Sequence, residues 1–246
     1  MKLIVLDADG ILSKGETAPF DLSLFERLRQ LNHRARAGEP VPAVTLNTGR
    51  PAAYVEAIMQ AIDGWQPALY ESGAGLYYPQ GYRFQLTPLF DAERAATLQT
   101  VVQRVDEAVV QSGKAYWQPG KTVCYTLFAN QPLTIADLMP EVSTIVADIT
   151  PDFIVTPAVL ALNLHPAGID KGTGLRWLAE VCGIEPRDMA GAGDSAGDID
   201  FLRLIGYPAA PVNATDAVKT VVRYTSALPD AAGLHDILDY WLSFIK

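Results

Sequence analysis

The sequence Asp7-Ala8-Asp9-Gly10 directly follows the apolar run Leu3-Ile4-Val5-Leu6. Two carboxylates two residues apart fall on the same side of an extended strand, and a glycine lets the backbone turn away at once, so both acids are expected to converge at the strand's C-terminal end. In open α/β sheets that edge is where sites are built. A carboxylate pair placed there can hold Mg²⁺, with one member attacking a phosphoryl group and the other handling the proton. The same residues also read as a solvated acidic turn that closes a strand.

Three later segments carry compatible chemistry. Thr48-Gly49-Arg50-Pro51 follows a second apolar run; a Thr hydroxyl, a Gly N–H and a helix start form a phosphate cradle, or equally an ordinary helix cap with Arg50 as a surface charge. Asp170-Lys171-Gly172-Thr173-Gly174 stands where a loop enters a helix. Lys171 there supplies a fixed positive charge for a phosphoryl group and neutralises nearby carboxylates, while Asp170 can cap the helix. Gly193-Asp194-Ser195-Ala196-Gly197-Asp198 can aim two carboxylates at one cation. Ser195 and Asp198 have capping-box spacing, which explains Asp198 and leaves Asp194 as the stronger ligand candidate.

The elements that must position these residues alternate. β-like runs at 3–6, 41–46 and 68–70 are interleaved with helical patterns at 21–36 and 52–62, which predicts βαβ units and a parallel sheet. From residue 75 the texture changes to a hairpin around Pro79-Gln80-Gly81, a helix over 91–110, strands at 115–117 and 122–129, a helix at 135–147, and strands at 153–156 and 159–164. This ββα-ββα-ββ order reads as a separate α+β module inserted into the sheet domain. The alternating pattern resumes with a helix over 172–181, an apolar run at 189–193, a helix to Ile205 and a strand at 207–212.

With 246 residues, 49% of them hydrophobic and 19% charged, the chain has material for a sizeable core. A net charge of −9 argues against a nucleic-acid backbone binder. Cys124 and Cys182 are too few for a disulfide framework or a zinc site, and both are expected to be buried and reduced. No apolar stretch reaches the ~20 residues needed to cross a bilayer, and no secretory h-region precedes Asp7, so a soluble cytoplasmic protein without a membrane partner is expected. The aromatics Tyr77, Tyr78, Tyr116, Trp117 and Tyr125 are expected mainly as core or strand-face residues, and His165 as a structural histidine.

Taken in order, the DxDG after the first strand, the strand-end Thr48, the helix-start Lys171 and the strand-end Asp194 to Asp198 resemble the haloacid dehalogenase superfamily of aspartyl-phosphate phosphatases. Within it the chain is similar to the Cof-like group, which has a large α/β cap between the second and third motifs. Glu71-Ser72-Gly73-Ala74 looks like that group's Asn-Gly-Ala turn, and Val212-Asn213-Ala214 like its Gly-Asn-Ala segment. The chain departs from the group at Gly197 and Ser72, both of which stand where Asn is usual.

The resemblance implies an α/β protein with a Rossmann-like parallel sheet core over 1–74 and 166–246 and an inserted α+β cap over 75–165 that sets substrate specificity. It implies Asp7 as nucleophile, Asp9 as general acid/base, and Thr48 and Lys171 at the phosphate, with Gly49, Arg50 and Asn213 also at the substrate. The Mg²⁺ site is expected from Asp7, Asp9 through its backbone carbonyl, Asp194 and Asp198, with Asp198 orienting Lys171 or a metal-bound water rather than ligating directly. The expected activity is hydrolysis of a small phosphorylated metabolite, a sugar phosphate or a phosphoglycolate-like ester, by a monomer or homodimer. The alternatives are a phosphotransferase or phosphomutase on the same site, or a non-catalytic phospholigand-binding protein.

Overall fold

A computed structural model describes residues 1–15, 17–158 and 160–245. The chain divides into two compact units, Met1–Gln85 with Asp170–Lys246, and Leu86–Ile169.

The first unit opens with strand β1 (Leu3–Leu6), every residue of which is buried. A strand covered on both faces shows a continuous apolar run rather than an alternation, as Leu3-Ile4-Val5-Leu6 does. Helix α1 (Leu22–Arg36) starts where the Asp21 carboxylate accepts from the Ser23 and Leu24 N–H groups, pairing donors that a helix start leaves open. Strand β2 (Ala43–Leu46), helix α2 (Ala52–Ala61) and strand β3 (Ala68–Tyr70) follow. Strands β4 (Gly75–Tyr78) and β5 (Arg83–Leu86) form the hairpin expected around Pro79-Gln80-Gly81 and join β3 in a three-stranded sheet.

In the second unit, helix α3 (Ala92–Val105) runs into a π-helical turn over Asp106–Val110. Strands β6 (Ala115–Trp117) and β7 (Tyr125–Ala129), helix α4 (Ile135–Ile149), and strands β8 (Phe153–Pro157) and β9 (Ala161–Pro166) follow. The four strands form an antiparallel sheet in the order β6-β7-β9-β8. Leu127, Leu162 and Leu164 from one face of it pack with Leu98 and Val101 of α3 and Leu138 and Val142 of α4.

The first unit resumes with helix α5 (Lys171–Cys182), strand β10 (Met189–Ala192), the short helix α6 (Ile199–Leu202), strand β11 (Tyr207–Ala210), helix α7 (Asp216–Lys219), strand β12 (Tyr224–Thr225) and helix α8 (Asp230–Leu242). Its main sheet has the order β12-β11-β10-β1-β2 and is parallel throughout. Alternation along β1 divides the core: Ile4 and Leu6 pack with residues of α1, α2 and α8, whereas Leu3 and Val5 pack with residues of α5, α6 and α7. In register, Leu6 stands beside Leu46 on one side and Ala192 on the other. The residues that leave these three strand ends therefore emerge side by side.

Several expected boundaries move. The units divide at 85/86 and 169/170 rather than at 74/75 and 165/166, because β4 is hydrogen-bonded to β3 through Gly75↔Tyr70 and its neighbours. The strand expected over 122–129 begins at Tyr125, and the one expected from residue 159 begins at Ala161, Val159 itself lying outside the described residues. No element was expected beyond Val212, yet α8 buries Leu234, Ile237, Leu238 and Trp241, a helical spacing of apolar residues. Cys124 is buried as expected, but Cys182 is half-buried, with its thiol 3.5 Å from Gln66 Oε1. Among the described residues no helix is long and apolar enough to cross a membrane.

Candidate active site

Strand register builds the site. Asp7 follows β1, Asn47 and Thr48 follow β2, Gly193 and Asp194 follow β10, and Lys171 opens α5. Asp7 N–H donates to the Ala192 carbonyl and Asn47 N–H to the Leu6 carbonyl, so the ladder continues one step past the strands and ties the three ends together.

The expectation that Asp7 and Asp9 lie on one side of a strand is corrected here. β1 ends at Leu6, so Asp7 and Asp9 lie beyond the strand rather than on it, and their carboxylates take different partners. Asp7 is 5% exposed and faces Lys171 Nζ at 2.8 Å. Asp9 instead lies in the fork of Arg50, whose Nε and Nη2 donate to its two oxygens at 2.7 and 2.5 Å.

Lys171 stands between two carboxylates. Its ammonium also donates to Asp198 Oδ1 at 2.5 Å. Burial opposes its charge, but Asp198 and Asp7 outweigh burial and hold its pKa above the usual lysine range. The Asp198 side chain is fully buried, and its Oδ2 accepts from the Asp194 and Ser195 N–H groups and from the Ser195 hydroxyl. With both oxygens engaged, Asp198 fixes Lys171 and the 194–198 turn, and the expected capping box is present. Asp170 caps α5 by accepting from Thr173 N–H at 2.7 Å.

The site is short of positive charge. Among the described residues, Asp7, Asp9, Asp194 and Asp198 gather around Lys171 and Arg50, four formal negative charges against two positive ones. Ligand atoms of Asp7, Asp194 and Asp198 all lie within 4.8 Å of one another. Burial, then the charge of Asp198, pushes the Asp7 pKa up to about 7 against the opposing pull of Lys171. Burial, then Asp7 and Asp198, pushes Asp194 up to about 8. Carboxylates this crowded are relieved by a divalent cation, and an all-oxygen donor set suits a hard one. The Asp194 carboxylate lies so close to Gly10 that a Cβ there would stand 2.0 Å from Oδ2. Asp7 and Asp194 are the carboxylates of the cluster left for a cation, with Asp198 already committed to Lys171.

Thr48 is 1% exposed, and its hydroxyl accepts the Arg50 N–H at 3.3 Å. Gly49 lies between them on the loop that enters α2, which begins one residue after Pro51. Asn213 does not point its amide at the cluster. Its Nδ2 donates to the Gly10 carbonyl and its Oδ1 accepts from Asp230 N–H, so it ties the Gly10 turn to the start of α8.

Three supporting features escaped the sequence reading. Asn47 is fully buried and donates from Nδ2 to the Lys171 carbonyl at 2.9 Å, a strut from β2 to the start of α5. Its only signal was a polar residue ending an apolar run. Glu71 and Ser72 adopt φ of 48° and 55°, and their N–H groups donate to the Arg50 and Thr48 carbonyls, clasping the phosphate-type loop. Tyr54 lies 4.8 Å under the Arg50 guanidinium. In the second unit, Tyr116 is 50% exposed and stacks on Phe128, and His165 Nε2 lies 3.4 Å from the Thr156 hydroxyl.

Comparison with known proteins agrees with this geometry. Residues 118–238 match the model of the haloacid dehalogenase-like hydrolase family. A phosphoglycolate phosphatase of Methanococcoides burtonii is 27% identical over 246 residues, covering 99% of this chain and 97% of that one. The crystal structure of Thermoplasma acidophilum 0175 superposes with a TM-score of 0.78 at 17% identity, covering 98% of each chain. The subclass IIB sugar phosphatase BT4131 superposes with a TM-score of 0.69 at 17% identity, covering 98% of this chain and 99% of that one. Over its whole length the chain is thus similar to phosphatases of the haloacid dehalogenase superfamily, with about half of it matching the haloacid dehalogenase-like hydrolase model, and it shares their fold. It is accordingly an enzyme of the phosphoric monoester hydrolase class, acting on a small phosphorylated substrate.

Proposed function

We propose that the chain is a Mg²⁺-dependent phosphatase that hydrolyses a small phosphorylated metabolite, a sugar phosphate or a phosphoglycolate-like ester, through phosphoryl transfer to Asp7. The observation that carries this reading is the buried Asp7 carboxylate, held 2.8 Å from Lys171 inside a cluster with Asp194.

Asp7 attacks phosphorus, the ester P–O bond breaks, and the departing alkoxide takes a proton from Asp9. A water that gives its proton back to Asp9 then cleaves the aspartyl phosphate, releasing inorganic phosphate and restoring Asp7. Lys171, the Thr48 hydroxyl and the Gly49 N–H bind the phosphoryl oxygens. Asp7, Asp194 and the Asp9 carbonyl would hold Mg²⁺, which would supply the positive charge that lets a carboxylate approach a phosphate. In this reading residues 86–169 form the cap that selects the leaving group. The protein works in the cytoplasm as a monomer or homodimer, and its net charge of −9 disfavours nucleic-acid partners.

The test is phosphate release from sugar phosphates, phosphoglycolate and nucleotides, with Mg²⁺ and with chelator, for the wild type and Asp7→Asn. Turnover is expected only with Mg²⁺, and Asp7→Asn is expected to stay folded and lose it. Undiminished turnover by that variant rules out transfer to Asp7. Transfer to an added alcohol without release of phosphate identifies a phosphotransferase instead.

A further inference from the structure

We propose that Ser72 is a further phosphoryl-binding residue, its hydroxyl donating to an oxygen of the group held on the Thr48-Gly49 loop. This inference rests on the phosphatase reading above and adds to it a residue from the turn that follows β3.

The backbone sets Ser72 apart. Glu71, Ser72 and Gly73 turn with φ of 48°, 55° and 91°, and among the described residues Glu71 and Ser72 are the only adjacent non-glycine pair in the left-handed region. That region is disfavoured for a residue with a Cβ and open to glycine. Two sides impose the turn. Glu71 N–H donates to the Arg50 carbonyl at 3.0 Å and Ser72 N–H to the Thr48 carbonyl at 2.9 Å. Gly73 lies so close to the start of α5 that a Cβ there would stand 2.4 Å from the Asp170 carbonyl oxygen. Packing therefore accounts for the conformation but not for the serine, since glycine adopts it without a steric penalty.

The hydroxyl has nothing to hold within the protein. Ser72 is half-buried, yet its Oγ has no hydrogen-bond partner among the described residues. A serine in a turn ordinarily bonds to nearby backbone, and a hydroxyl withdrawn from water without a partner is unfavourable. Its place supplies the partner. A Cβ at Gly49 would lie 3.4 Å from Ser72 Oγ, so the hydroxyl stands over the residue of the Thr48-Gly49-Arg50 loop that has no side chain. A glycine lets a ligand approach backbone closely, and a phosphoryl group seated there has the Ser72 hydroxyl beside it. On the same loop the Thr48 hydroxyl accepts the Arg50 N–H and keeps its own proton for the ligand. Thr48 and Ser72 thus offer two hydroxyl donors about Gly49, fixed in place before the ligand arrives.

The experiment compares the wild type, Ser72→Gly and Ser72→Thr in kcat/KM for p-nitrophenyl phosphate, in inhibition by inorganic phosphate, and in Tm. Ser72→Gly removes the hydroxyl and suits the backbone. It is expected to lose about 10- to 100-fold in kcat/KM and to bind inorganic phosphate correspondingly more weakly. Ser72→Thr keeps the hydroxyl but adds a branch that a left-handed residue tolerates poorly, so it is expected to have the lower Tm of the two variants and the smaller loss of activity. Activity then follows the hydroxyl while stability follows the backbone, an order that a purely structural role would reverse. Ser72→Gly with wild-type kcat/KM and wild-type phosphate inhibition overturns the proposal, as does activity that falls with Tm across the two variants. If the wild type hydrolyses no phosphomonoester, the phosphatase reading fails. Calorimetric binding of inorganic phosphate with Mg²⁺ then decides the Ser72 contact: weaker binding by Ser72→Gly supports it, and equal binding, or none by the wild type, refutes it.

Discussion

Proton competition at the cation site gives the sharpest quantitative test. Asp7 is raised to about 7 and Asp194 to about 8, both chiefly by burial, so both hold protons that a cation must displace. The two groups titrate together, so proton competition weakens cation binding progressively as pH falls below both values. Apparent Mg²⁺ affinity should therefore rise more than about tenfold from pH 5 to pH 7 and level off above pH 8, with protons released on cation binding at pH 5. Calorimetric titration in two buffers of different ionisation heat counts those protons directly. The linked effect on stability has a fixed sign. A carboxylate whose pKa is raised by folding stabilises the cation-free protein below its unfolded value of 3.8, and that contribution is lost as pH rises through about 7 and about 8. Added Mg²⁺ should then raise Tm more at pH 8 than at pH 5. An affinity that changes less than about tenfold between pH 5 and 7, or a titration without proton release, would refute the crowded-carboxylate account of the site.

Two substitutions test its supports. Gly10→Ala forces a left-handed residue at φ +72° to carry a Cβ, costing about 1–2 kcal/mol. It also drives that Cβ against the Asp194 carboxylate, so Mg²⁺ affinity should fall together with Tm; unchanged affinity would show that Asp194 does not ligate. Lys171→Met strands Asp7 and Asp198 as buried carboxylates without their shared ammonium, and urea unfolding should show a loss of about 3–5 kcal/mol at neutral pH. A loss that stays the same at pH 5 would count against charge as the cause, because Asp7 then carries its own proton.

Much of the fold was legible because its signals are local. The continuous apolar runs at 3–6, 43–46 and 68–70 are strands covered on both faces, and α1 and α5 have caps readable from residue type, Asp21 and Asp170. Helix α8 was missed although Leu234, Ile237, Leu238 and Trp241 have helical spacing. The hairpin at 75–86 was read correctly as a hairpin but set in the inserted module, because its partner strand is a matter of pairing rather than of its own sequence.

By itself the sequence determined which chemical groups sit at strand ends and helix starts: Asp7, Thr48, Lys171 and Asp194 are each marked by the apolar run or cap beside them. Only tertiary structure decided how those groups share their charges. Asp9 pairs with Arg50 and Asp7 with Lys171, and the buried Asp198 is committed to that same lysine instead of to a cation. The physical reason is that secondary structure is encoded over a few neighbouring residues, whereas an ion pair depends on distance and dielectric between groups far apart in sequence, as Asp7 and Lys171 are, 164 positions apart and 2.8 Å from each other.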